Sequence, residues 1–146
     1  MDTMGSLCDK LTIIKLKQWH TTDGNKLQSL AKQECQLKEE IDSYVNDAID
    51  LKIPSDRLTY SSNKVYKLEG NQFNKISGEI GILFSQLATV NCALWHEQEK
   101  VYEFEKVPSD ERPIIVNKLA TLNLERNYCI DEIDRKFSEK VLKKSR

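Results

Sequence analysis

The sequence predicts an all-α protein, an antiparallel helical bundle of four main helices with room for one extra short helix. Three observations predict it. Apolar residues recur at three- and four-residue steps over long stretches; only five Gly and three Pro interrupt 146 residues; and the link Pro108-Ser109-Asp110-Glu111 is so short that the helices on either side of it must be antiparallel neighbours. A chain of this length suits a single domain, residues 1–146, able to bury roughly 68–70% of its unfolded surface without disulfides or metals.

The first helix is expected over Met4 to His20, where Ser6 and Asp9 have capping-box spacing. Met4, Leu7, Leu11 and Ile14 form one stripe, whereas Ile13 and Leu16 point almost the opposite way with Asp9 and His20. Such a helix is either sandwiched between others or shared with a second subunit. After the turn Thr21-Thr22-Asp23-Gly24-Asn25, a second helix runs to about Leu51. Its seam of Leu27, Leu30, Leu37, Ile41, Tyr44, Ala48 and Leu51 is broken only by Glu34.

Residues 53–70 read as an irregular connection in which Ser55 can cap a helical turn or two. Tyr60 and Tyr66 among Lys64 and Lys67 either lay this loop over the bundle or stack on a base or sugar. The third helix is expected from about Gln72 to Lys106, with the stripe Phe73, Ile76, Ile80, Leu83, Leu87, Val90, Leu94 and Val101. Gly78 and Gly81 inside it predict a close helix–helix approach. The fourth runs from Ile114 to Val141 on Ile115, Leu119, Leu122, Ile130, Ile133, Phe137 and Val141.

Charge and cysteine usage exclude several classes of partner. A net charge of -1, from 22 basic and 23 acidic residues interspersed along the chain, gives no field for nucleic acid or an anionic membrane. The opening residues carry no secretory signal, and no apolar run approaches the roughly 18 residues of a membrane span, so a reducing, cytoplasmic compartment is expected. Cys8, Cys35, Cys92 and Cys129 are far apart, form no metal-binding pattern, and read as small buried thiols on separate helices. No metal or cofactor is expected.

The chemistry concentrates on the fourth helix, where Arg126 points within roughly 40° of Leu122, Ile130, Ile133 and Phe137 at about 100° per residue. Asn123, Asn127 and Asp134 lie along one flank of the same stripe, and on the third helix Asn91 and Gln98 replace aliphatic residues beside Trp95. Counting back from the link at Ser109 sets Gln98 near the level of Leu119 and Asn91 near Arg126. These residues form one inward polar patch with two readings. Arg126 is either paired to a carboxylate such as Asp9, Glu97 or Asp134 in a network that fixes register, or it meets an anionic ligand while amides read hydroxyls and Trp95 stacks on a ring.

Three motifs at these residues resemble a bacterial family of all-helical proteins catalogued as a domain of unknown function. They are Leu7-Cys8-Asp9-Lys10-Leu11-Thr12-Ile13, then Asn91-x-x-Leu94-Trp95-His96-x-Gln98-Glu99, and Leu122-Asn123-x-x-Arg126-Asn127-x-x-Ile130-Asp131-x-Ile133-Asp134. The resemblance implies one helical domain with Asp9, Lys10, Asn91, Trp95, Asn123, Arg126 and Asp134 at its polar centre. It also implies a context among cell-surface polysaccharide genes. Gln98 and Asp131 stand where that family has Glu, and the lost charge at Gln98 favours binding over catalysis there.

The candidate ligand-binding set is therefore Asp9, Lys10, Asn91, Trp95, Gln98, Asn123, Arg126 and Asn127, directed at a small anionic or sugar-like molecule. Two other functions compete with it. One is a structural or interaction protein, a homodimer through the two-sided first helix or the seam of the second. The other is an enzyme on nucleotides or sugars, its Mg²⁺ held by i, i+3 acidic pairs such as Glu39 and Asp42, Asp47 and Asp50, or Asp131 and Asp134. No catalytic triad, phosphate loop or zinc motif is present, and His20 and His96, each following a Trp, read as half-exposed residues rather than general bases.

Overall fold

A computed structural model of the protein describes residues 2–59 and 77–144. These form an all-α bundle of four helices, α1 (Met4–His20), α2 (Gly24–Ile49), α3 (Ile80–Tyr102) and α4 (Arg112–Lys144), with no strand among them. The expected features at Tyr60, Lys64, Tyr66, Lys67, Phe73 and Ile76 lie outside the described residues. No helix among the described residues is long and apolar enough to cross a membrane.

Helix α1 has the bounds expected of it, but its cap lies three residues before the one the sequence suggests. Thr3, not Ser6, is the N-cap: its Oγ1 accepts from the Ser6 amide at 3.3 Å, and Ser6 Oγ accepts from the Thr3 amide at 2.8 Å. The capping box thus closes on Thr3 and Ser6, which releases Asp9 for other work. Asp23 caps α2 by accepting from the amides of Asn25 and Lys26. Helix α2 stops two residues before Leu51, which adopts a left-handed φ of 58° as Lys52 donates back to the Asp47 carbonyl at 2.8 Å, the six-to-one bond of a Schellman-type end. A single 3-10 turn at Ser55–Arg57 follows, and behind it Leu58 is fully buried in the core.

Helix α3 begins at Ile80, later than its periodicity predicts. Gly78 has φ 142°, outside helical space, so Ser77-Gly78-Glu79 is a bend before the helix. Gly81 does lie in α3, but a methyl group there would meet nothing within 4 Å among the described residues, so the expected close approach is not found among them. It occurs instead at Gly5 of α1. A Cβ on Gly5 would run into the Ile130 carbonyl oxygen and stand 2.9 Å from Asp134 Oδ1, so the missing side chain lets α1 settle onto α4.

Helices α3 and α4 are antiparallel, as their ion pairs record. Glu97 meets Lys118 at 3.5 Å and Glu79 meets Lys140 at 2.9 Å, so α3 and α4 run in opposite order as their short link requires. Helix α1 touches α2, α3 and α4. Its two-sidedness is therefore satisfied within the chain by the sandwich arrangement. The core joins Met4 and Cys8 of α1, Ala48 of α2, Leu83 and Leu87 of α3, and Cys129, Ile130, Ile133, Phe137 and Val141 of α4. Cys8 and Cys129 are buried, but Cys35 and Cys92 are exposed, which corrects the expectation of four buried thiols.

Candidate functional site

Arg126 has a carboxylate partner, and that partner is Asp9. The guanidinium Nε donates to Asp9 Oδ1 at 2.9 Å and Nη2 donates to Oδ2 at 2.5 Å, the two-point geometry that planar Arg gives a carboxylate. Asn91 of α3 joins from the other side, its Nδ2 donating to Asp9 Oδ1 at 3.0 Å and to Thr12 Oγ1 at 2.6 Å. Thr12 Oγ1 in turn donates to the Asp9 carbonyl at 2.8 Å. One carboxylate on the central helix thus ties α1 to both α3 and α4. The hydrogen bond that Arg126 donates to Asp9 pushes the Arg126 pKa upward, against burial that would lower it.

The other two carboxylates considered for Arg126 are engaged elsewhere. Glu97 is buried and receives Lys100 at 3.1 Å and Lys118 at 3.5 Å on the same oxygen, Oε1. Asp134 is buried and accepts from the Gly5 amide at 2.7 Å. It places a negative charge on the first turn of α1, where free amide donors and the helix dipole favour one.

The network is closed on its α3 side and open on its α1–α2 side. Asn91 is sealed in the core, whereas the Arg126 side chain is 34% exposed. It looks onto a cavity of about 440 Å³ lined by Lys10, Lys17, Gln33, Gln36 and Glu40 among others. Nη1 of Arg126 has no partner among the described residues. Lys10, at the mouth, pairs with Asp2 at 2.9 Å.

A second cavity of about 440 Å³ adjoins the first at Lys17 and Gln33, which line both. Lys26, Thr21, Ser29, Leu30, His20 and Trp95 complete its lining, with no carboxylate in the wall among the described residues. Trp95 is half-buried there; His20 covers one face of its indole at 4.7 Å between ring centroids, and its Nε1 donates to Glu99 at 2.8 Å. His20 Nδ1 bonds the Leu16 carbonyl at 2.8 Å. A carbonyl only accepts, so Nδ1 carries the hydrogen there.

The predicted site set divides accordingly. Asp9, Asn91 and Arg126 form one bonded network, Lys10 stands at its mouth and Trp95 in the adjoining cavity. Gln98, Asn123 and Asn127 do not join them. All three are exposed on the outer faces of α3 and α4, because the sandwich with α1 rotates the buried stripe of each helix away from them. Lys17, Lys26 and Gln33 were not foreseen. Long polar side chains on an outward helical face carry no periodic signal that distinguishes a cleft wall from open solvent.

No protein-family model matches the chain, and no curated protein and no solved structure matches it either. The site is therefore read from its own geometry.

Proposed function

We propose that the protein is a cytoplasmic binding bundle for a small anionic, sugar-like ligand held in the cleft between α1 and α2. The observation that carries this reading is the pair of adjoining cavities that share Lys17 and Gln33, one with half-open Arg126 in its wall and the other lined by cations without a carboxylate. Their chemistry differs in a useful way. Around Arg126 the cations Lys10, Lys17 and Arg126 are balanced by Asp2, Asp9 and Glu40, a mixed wall suited to hydroxyls, which both donate and accept. At the other end Lys17 and Lys26 face no acid, which suits the anionic group. The resemblance of the three motifs to a helical family falls on this same network and supports the choice of Asp9, Asn91, Trp95 and Arg126.

A thermal-shift screen of phosphosugars, nucleotide sugars, nucleotides and divalent metals tests the reading, because a ligand at 100 times its Kd adds about 2.7 kcal/mol to native stability. Phosphosugars should raise the melting temperature, and the double variant Lys17→Ala, Lys26→Ala should abolish the rise while melting like the parent when no ligand is present. A flat response across every anionic sugar sinks the proposal.

The interaction-protein reading keeps support from one feature, the exposed Trp19, Ile82, Ile114 and Val116. A homodimer would use these surfaces, Trp19 near the end of α1 among them. Sedimentation as a monomer at high micromolar concentration would remove that reading. For the enzyme reading, the Asp131 and Asp134 pair gives little support, with Asp134 committed to the first turn of α1.

A further inference from the structure

The single break in the apolar seam of α2, Glu34, opens on a third cavity that shares no residue with the Arg126 pocket. It is a groove of about 610 Å³ between α1, α2 and α3. Leu11, Leu16, Phe84 and Ala88 line it, and Trp19 stands at its edge, 85% exposed. The volume falls in the range of small-molecule sites, which are concave, mostly apolar and furnished with a few placed polar groups. The charged groups sit where α1 and α2 meet, Lys15 on α1 and Glu34 and Lys38 on α2. The Glu34 carboxylate holds Lys15 at 2.5 Å and Lys38 at 3.8 Å, so two ammonium groups share one carboxylate and leave a local excess of positive charge.

We propose that this groove binds a small single-chain amphiphile, its apolar chain along Leu11, Leu16, Phe84 and Ala88 and its anionic head at Lys15 and Lys38. An apolar chain of this kind removes the indole face and the aliphatic wall from water, which is where the binding energy arises. The head is read by the lysines that Glu34 only half-neutralises. Glu34 competes with the ligand for them, so the charge that breaks the α2 seam sets the affinity of the groove. A neutral head would leave the lysines as they are, and a wholly polar ligand would leave the wall wet.

The two tryptophans of the chain make the test direct. In Trp95→Phe, Trp19 is the one indole emitter; it is titrated with decanoate below its micelle concentration and, separately, with decanol. A saturable blue shift with decanoate is expected. Adding Glu34→Gln should tighten decanoate about threefold by freeing both lysines, with decanol unchanged, a size set by exposed ion pairs. Ala88→Phe, which fills the groove, should remove the response while the circular dichroism stays helical; if that variant does not fold, Phe84→Ser tests the same wall. Three results overturn the proposal: no saturable shift, an equal gain for decanoate and decanol in Glu34→Gln, or sedimentation as a dimer with Trp19 already blue-shifted before any amphiphile is added. In the last case a second copy of the chain fills the groove.

Discussion

Arg126 and Asp9 face each other fork to fork across α4 and α1, yet they share water unequally, with 34% of the Arg126 side chain exposed and 8% of that of Asp9. The inequality predicts which half of the pair the fold needs more. Arg126→Met leaves a buried carboxylate with only Asn91 as a side-chain donor, and should cost about 3 kcal/mol, at the low end for an orphaned buried charge. Asp9→Asn leaves a guanidinium that already reaches solvent, and should cost about 1–2 kcal/mol, discounted for that exposure. Urea unfolding of the two variants checks the order, and a larger loss for Asp9→Asn would refute it.

Glycine substitutions separate a close approach from a mere helical position. At Gly5 an added methyl meets the Ile130 carbonyl, part of a backbone that cannot step aside, so Gly5→Ala should destabilise by about 2–3 kcal/mol, as overpacked sites do. At Gly81 the space is open. Gly81→Ala should stabilise by up to about 1 kcal/mol through helix propensity and a less flexible unfolded chain. Opposite signs in thermal unfolding are the expected outcome.

The stripes of α1 and α4 and the antiparallel register of α3 on α4 were legible because burial repeats with the helical period and the link at Ser109 fixes the count. Register arithmetic brought Asn91 to the level of Arg126, and they do converge, through Asp9. The angular calculation for α1 set Asp9 away from the Leu7 stripe, and this too holds: a helix in the middle of a bundle is buried on several sides, so off-stripe does not mean outside. Periodicity failed where a single backbone angle decided the outcome. The φ of Gly78 keeps α3 from starting before Ile80, and nothing in the spacing of apolar residues records it. Asn123 and Asn127 failed for a third reason, since a flank of a stripe becomes wall or surface according to how the neighbouring helix is rotated.

The four thiols should fall into two classes. Burial pushes Cys8 up to about 12 and Cys129 up to about 11, with Asp134 and Asp9 adding to the first and Glu125 to the second. Only the thiolate attacks an alkylating reagent, so at pH 8 both are protonated as well as covered. Native protein should therefore take up two equivalents of iodoacetamide, at Cys35 and Cys92, with Cys8 and Cys129 labelled only after unfolding. Peptide mapping by mass spectrometry reads this, and rapid labelling of Cys8 in the native state would contradict the core described above.

The rim of the apolar groove should carry its own pH signature. A hydrogen bond from Lys15 is the largest influence on Glu34 and holds its carboxyl below the ordinary range, against some desolvation that raises it, with the charges of Lys15 and Lys38 lowering it further. A folded-state value below the unfolded one means that the folded chain binds fewer protons in this interval. The stabilisation is therefore fully present above the ordinary carboxylate range and disappears as pH falls through the lowered value of Glu34. Carboxyl-detected NMR should find Glu34 titrating below the ordinary carboxylate range. Lys15→Met should move it upward toward that ordinary range. An unmoved Glu34 would show that the lysine neither holds the carboxylate nor is held by it, and the Lys15 ammonium would then be free to meet an incoming anion without competition.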